Sequence, residues 1–169
     1  MKKIILFTVF AVALSACKSA KDNFQFEKIS YHSGPCFGSC PSYHMEVSND
    51  KTIRLIGDSL YNKRMGNRDM SRVGYFTGTV EDSTFNKLVN ELRNAGLDTL
   101  KFRGPNCCDA PIKTLIVRYN GKRKYLHAMF PPDHARRLIA VLNDIYAHSR
   151  FKPTSQRFEI EKDSVVIKN

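Results

Sequence analysis

The chain has 169 residues, with 27 lysines and arginines against 16 aspartates and glutamates, a formal net charge of +11, five cysteines and no tryptophan. This length suits one domain with a real core, and the absence of internal repeats or low-complexity tracts excludes a solenoid or a disordered array. The positive excess favours anionic partners, but Lys63, Arg64, Arg68 and Arg72, then Lys101 and Arg103, then Lys122, Arg123 and Lys124, then Arg136 and Arg137 are spread along the chain, as on a solvated face rather than in a basic tail.

Residues 1–16 read as an export signal. Lys2 and Lys3 form a positive head, Ile4 to Leu14 is apolar and uncharged, and Leu14-Ser15-Ala16-Cys17 follows. The apolar run is shorter than the roughly 20 residues that a spanning helix needs. The segment resembles a bacterial lipoprotein signal peptide, with Leu14 to Cys17 as its lipobox. That resemblance implies diacylglycerol and palmitate-type acylation of Cys17, cleavage before it, and a membrane anchor made by more than one acyl chain. Lys18 stands where an aspartate would resemble an inner-membrane retention signal, so the expected address is the outer membrane of a Gram-negative envelope. Cleavage removes Lys2 and Lys3 and lowers the formal charge from +11 to +9 over 153 residues. After export, nucleic acid is not an expected partner. Lipid headgroups, anionic glycans or a protein partner are, although the lack of tryptophan weakens a sugar-stacking surface.

Residues 17–25 read as a lipidated tether, 26–150 as a single domain and 151–169 as a tail. Tyr43, Met45 and Val47 alternate with polar residues as in a half-buried strand. Asn49-Asp50 signals a turn, and Thr52 to Ile56 a returning strand. Tyr61 to Met70 reads as a basic loop or hairpin tip. Val73 to Val80 reads as a strand, with a bulge expected at Gly74 or Gly78. Phe85, Leu88, Val89 and Leu92 recur at helical spacing, with Asp82 or Ser83 as the cap and Gly96 after the last turn. Ile112–Tyr119, Asn120-Gly121 and Lys122–Met129 form a predicted hairpin, since both central residues of its turn need positive φ. A second helix is expected over Asp133–Ala147, after Pro131-Pro132. The tail, with Phe158, Ile160, Val165 and Ile167, has the residues for one edge strand or for a loose end. The order predicts an α+β fold, a mainly antiparallel sheet with two helices packed on one face.

Four cysteines remain beyond Cys17: Cys36, Cys40, Cys107 and Cys108. In an exported chain they are first read as disulfides, and three pairings are open. Adjacent cysteines bond only through a strained eight-membered ring, which disfavours Cys107–Cys108. A crossed bond would close a loop of roughly 70 residues and contribute around 4 kcal/mol in the chain-entropy model. Two alternatives compete. Cys36, Cys40 and His44 recur every four residues, and with Cys107 and Cys108 could bind Cu(I) or Zn(II). Cys36 to Pro41 resembles, superficially, the CxxxCP site of Sco-type copper chaperones. Thiol redox chemistry at Cys36 and Cys40 is the other, without the helix that usually follows such a motif.

No nucleophile elbow, metalloprotease motif, P-loop, dinucleotide fingerprint or haem-attachment motif occurs. His127, Asp133 and His134 have no spacing that marks a triad. No cofactor and no catalytic residue are expected.

Ser33 to Tyr43, Ser-Gly-Pro-Cys-Phe-Gly-Ser-Cys-Pro-Ser-Tyr, resembles the GPCxGxCPxY core that opens a domain of unknown function in bacterial lipoproteins and secreted proteins. Asn49-Asp50, Gly74-Tyr75, Asp109-Ala110-Pro111 and Asn120-Gly121 extend the likeness over about Phe26 to Tyr146. It implies an envelope domain, carries no activity, and does not include Cys107-Cys108. The expected function is a non-enzymatic, membrane-tethered binding or structural module. The alternative is metal or thiol handling at the CxxxCP motif.

Overall fold

The computed structural model describes residues 24–36, 40–59, 71, 73–104 and 107–162. Cys17, most of the expected tether and the basic loop Tyr61 to Met70 lie outside these residues. Strands β1 (Phe26–Ser33), β2 (Ser42–Ser48), β3 (Thr52–Ser59) and β4 (Gly74–Thr79) precede helix α1 (Asp82–Asn94). Strands β5 (Lys113–Tyr119) and β6 (Lys122–Ala128), helix α2 (Arg136–His148) and β7 (Phe151–Pro153) follow. The seven strands form one sheet in the order β6-β5-β1-β2-β3-β4-β7, and every pairing is antiparallel.

Period-two alternation gives the sheet two unlike faces. Ile29, Tyr31, Tyr43, Met45, Val47, Ile53, Leu55, Leu115 and Val117 are buried in one core cluster with Leu88 and Leu92 of α1 and Leu138, Val141, Leu142 and Ile145 of α2. Phe26 meets Phe85 of α1 at 5.9 Å between ring centroids, and Tyr43 stacks on Tyr146 of α2 at 3.7 Å. The Tyr31 and Tyr43 hydroxyls both donate to Asn143 Oδ1, at 3.1 and 3.3 Å. Burial pushes both phenols well above their ordinary pKa. The helix period therefore selects the apolar stripe that these strands need.

The other face is polar and is crossed by residues 154–162, which form a strap. Glu46 is buried there, takes 2.8 Å contact from Lys28 Nζ, and is also paired with Arg54. Glu161 on the strap accepts from Arg118 at 2.8 and 2.9 Å and from Arg123 at 2.8 Å. Phe158 packs against Tyr75 and under the Arg54 guanidinium, and Ile160 is buried. The tail thus supplies both an edge strand, β7 on β4, and a cover for the polar face.

Several local expectations need correction. The expected tether ends early, because Phe24 stacks on Tyr119 and Gln25 N–H donates to Asn120 Oδ1 at 2.6 Å. The α1 cap is Glu81, which makes no side-chain cap bond; Asp82 opens the helix and instead holds Lys51 at 2.8 Å. The α2 segment begins with a 3-10 turn, Asp133–Ala135, after Pro132. No bulge occurs at Gly74 or Gly78, where β4 keeps continuous register with β3. Gly78 is glycine for another reason: a Cβ there would stand 2.8 Å from the Arg150 carbonyl oxygen, where the chain passes into β7. The bulges lie in β1 against β5 and in β2 against β3. The Asn120-Gly121 turn forms as expected, with φ of 50° and 68°.

Burial alone would raise the Glu46 carboxyl pKa, but hydrogen bonds and charge from Lys28 and Arg54 more than reverse this. Glu46→Gln removes the anion and leaves both cations facing a neutral amide. The expected loss is about 2–3 kcal/mol, read as a lower urea midpoint at unchanged slope.

Candidate functional site

The strand registers place the sheet's connections at two opposite ends. Ser33, Tyr43, Gly57, Gly74, Lys113 and Ala128 mark one end. The loop carrying Cys36 and Cys40 emerges there, as do the loop arriving at β5 and the segment leaving β6. The Gly34 N–H donates to the Ile112 carbonyl at 2.9 Å and joins the first two. The start of β1 and the Asn120-Gly121 turn lie at the opposite end, where the Asn120 N–H donates to Gln25 O.

At the loop end, Cys36 and Cys40 form a disulfide with a Cα separation of 5.4 Å. The crossed pairings expected as alternatives do not form, and Cys107 and Cys108 are exposed free thiols. In this form neither Cys36 nor Cys40 offers a thiolate to a metal. His44 does not join them: it lies in β2, where a four-residue repeat is not one helical face, and it points to a different set of partners. Among the described residues, no three His, Cys, Asp or Glu side chains group as metal ligands. His127 bonds Thr114 Oγ1 at 2.8 Å, and Asp133 pairs with Arg136, so they build no triad.

The residues missed in the sequence are His32, Asp58 and Glu161. His32 and His44 sit opposite each other on β1 and β2, with their Nδ1 atoms 2.5 Å apart. His32 Nε2 lies 2.8 Å from the Glu161 carbonyl, and His44 Nε2 lies 2.9 Å from Asp58 Oδ2. Ser42 Oγ donates to the same Asp58 oxygen at 3.2 Å. The bulge that sets Ser42 against Ser59 and Tyr43 against Gly57 makes Asp58 the extra residue. Such a bulge re-aims a side chain, here toward both Ser42 and His44. A cleft of about 820 Å³ opens beside this chain, lined by His44, Ile56, Asp58, Tyr75, Phe158 and Lys162.

Hydrogen-bond bookkeeping fixes the protons. A carbonyl only accepts, so His32 carries its proton on Nε2 and its Nδ1 accepts from His44 Nδ1–H. His44 Nε2 then lies against the Asp58 carboxylate. All four ring nitrogens of the His32–His44 pair are therefore engaged within the chain. A tetrahedral metal with bonds of about 2.0–2.1 Å to both Nδ1 atoms would need them about 3.3 Å apart, and they stand 2.5 Å apart. His44 fell on a strand the alternation marks, but His32 lies on β1, which the sequence analysis did not predict, so their pairing was not derivable.

His32 is 8 % exposed, and burial lowers its pKa to about 4, against the pull of the Glu161 carbonyl and with added repulsion from His44 and Lys162. Burial also lowers His44, although Asp58 opposes it. The unfolded chain therefore binds more protons as pH falls below about 6.5, and stability present above that pH is lost toward pH 4. The His32 contribution is a loss of about 2 kcal/mol between pH 7 and pH 5, before carboxylates titrate. Urea titrations at the two pH values check it, and His32→Gln flattens the difference.

No curated protein matches the chain. A family model described as Domain of unknown function (DUF6438) matches residues 27–146. That span holds Cys36, Cys40, His32, His44 and Asp58, and it ends within α2, before β7 and the strap. The sheet, its disulfide loop and its histidine pair are thus those of a chain that belongs to the DUF6438 family.

Proposed function

We propose that this protein is a lipid-anchored outer-membrane lipoprotein whose DUF6438 domain is a non-enzymatic binding module. In this reading both helices pack on one face of the sheet and the strap closes the other. One observation carries the binding assignment: the polar groups most able to do chemistry are spent on one another. His32, His44 and Asp58 satisfy each other and the strap, and among the described residues no buried side-chain nitrogen or oxygen lacks a partner. Satisfied networks rigidify a fold, whereas catalysis needs a poised acid, base or nucleophile.

The loop end supplies the contact surface. Phe130, 46 % exposed, borders a groove of about 340 Å³ with Lys113, Met129, Pro131, Arg136 and Ile139. An exposed aromatic flanked by a lysine and an arginine fits a protein or an anionic envelope component. The start of β1, which follows the leader, is at the other end, so anchoring would leave this surface facing away from the membrane.

Cells expressing the full chain and its Cys17→Ser variant, fed labelled palmitate and fractionated, test the anchor. The wild type is expected to take up label and sediment with outer membranes, and the variant to do neither. Equal distribution of the two proteins would sink the reading. Turnover by the purified wild type in a broad hydrolase and oxidoreductase screen would sink the non-enzymatic half alone.

A further inference from the structure

Successive side chains on an extended backbone point to opposite sides, which keeps adjacent cysteines apart. Cys107 and Cys108 break that rule. Cys108 has φ of 72°, a left-handed conformation that residues other than glycine rarely adopt. The turn brings its sulfur back to 2.8 Å from the Cys107 sulfur. The Cys108 S–H donates in this contact, which pushes its pKa up and leaves the Cys107 sulfur as acceptor. Both residues are exposed. A disulfide bond of about 2.05 Å lies less than 1 Å of approach away.

We propose that Cys107 and Cys108 form a solvent-facing dithiol that closes reversibly to a disulfide between neighbours, by exchange with a disulfide-bearing protein or small molecule. The Cys107 thiolate attacks one sulfur of the incoming disulfide. That S–S bond breaks, the departing thiolate takes a proton, and a mixed disulfide remains. The Cys108 sulfur gives up its proton and attacks the Cys107 sulfur, expelling the second thiol. The incoming disulfide is reduced by two electrons to two thiols, and the Cys107–Cys108 pair is oxidised by the same two. The eight-membered ring is strained, so the bond reopens readily with excess thiol. Cys36 and Cys40, already bonded to each other, take no part. This site is independent of the lipid anchor and rests on local geometry alone.

The test uses the full chain purified in detergent after gentle reduction, with oxidised glutathione as the probe. Intact mass and peptide mapping follow the adducts. The wild type is expected to end two hydrogens lighter, with no glutathione attached and the new bond mapped to Cys107–Cys108. Cys107→Ser and Cys108→Ser, exposed changes that leave the core intact, are expected to retain one glutathione each. Release of bound glutathione should be about tenfold or more slower in them than in the wild type. A wild type that accumulates two adducts, stays reduced while the single variants react, or bonds either cysteine to Cys36 or Cys40 would overturn the proposal. Circular dichroism of each variant separates loss of exchange from loss of fold.

Discussion

The structure depends on the double burial of β1. Its partners on both edges are strands, its apolar side chains share one core cluster with α1 and α2, and its polar ones meet neighbours that include the strap. A strand in that position must be apolar where it enters the core, and must bring partners for any polar side chain. Ile29 and Tyr31 meet the first demand, while Ser30 and His32 meet the second through Glu46, His44 and the Glu161 carbonyl. The neighbouring strands then inherit the same division, because antiparallel register passes it across the sheet residue by residue. The strap is as necessary to this scheme as the helices are. Its Glu161, drawn down to a pKa of about 2 by Arg118 and then Arg123 against the opposing effect of burial, ties both cations to the strap.

Much of the fold was legible in the sequence because its signals are local. The helical stripe of α1, the positive φ at Gly96 and the Asn120-Gly121 turn each follow from one short window. The polar face was not legible, since it is assembled from residues up to 129 positions apart, as between His32 and Glu161. Gly78 misled for a related reason. Its lack of a side chain answers to Arg150, which no window around β4 contains. The α1 cap failed more simply, because Asp82 has a distant lysine to hold and Glu81 takes the boundary without a side-chain bond.

The cysteines divide in the same way. Cys36 and Cys40 are close in sequence and bond locally, as a short loop at a strand end permits. Cys107 and Cys108 looked unsuited to one another because bonding neighbours closes a strained eight-membered ring. The left-handed residue that brings their sulfurs together carries an unremarkable cysteine side chain, so nothing in the composition of the loop announces it. Since the Gly34 N–H is held by the Ile112 carbonyl, the loop of the bonded pair is tied to the segment that follows the free pair.

The docking of Phe24 and Gln25 onto the hairpin sets a reach. With those residues committed to the domain, the chain from an anchored Cys17 to Phe24 spans at most about 25 Å even when straight. The eight residues of β1 add about 26 Å before the loop end is reached. Under the proposed anchor, the far surface of the domain therefore stands within about 50 Å of the bilayer. Under that same proposal, whatever this surface meets, it meets within that distance of the membrane.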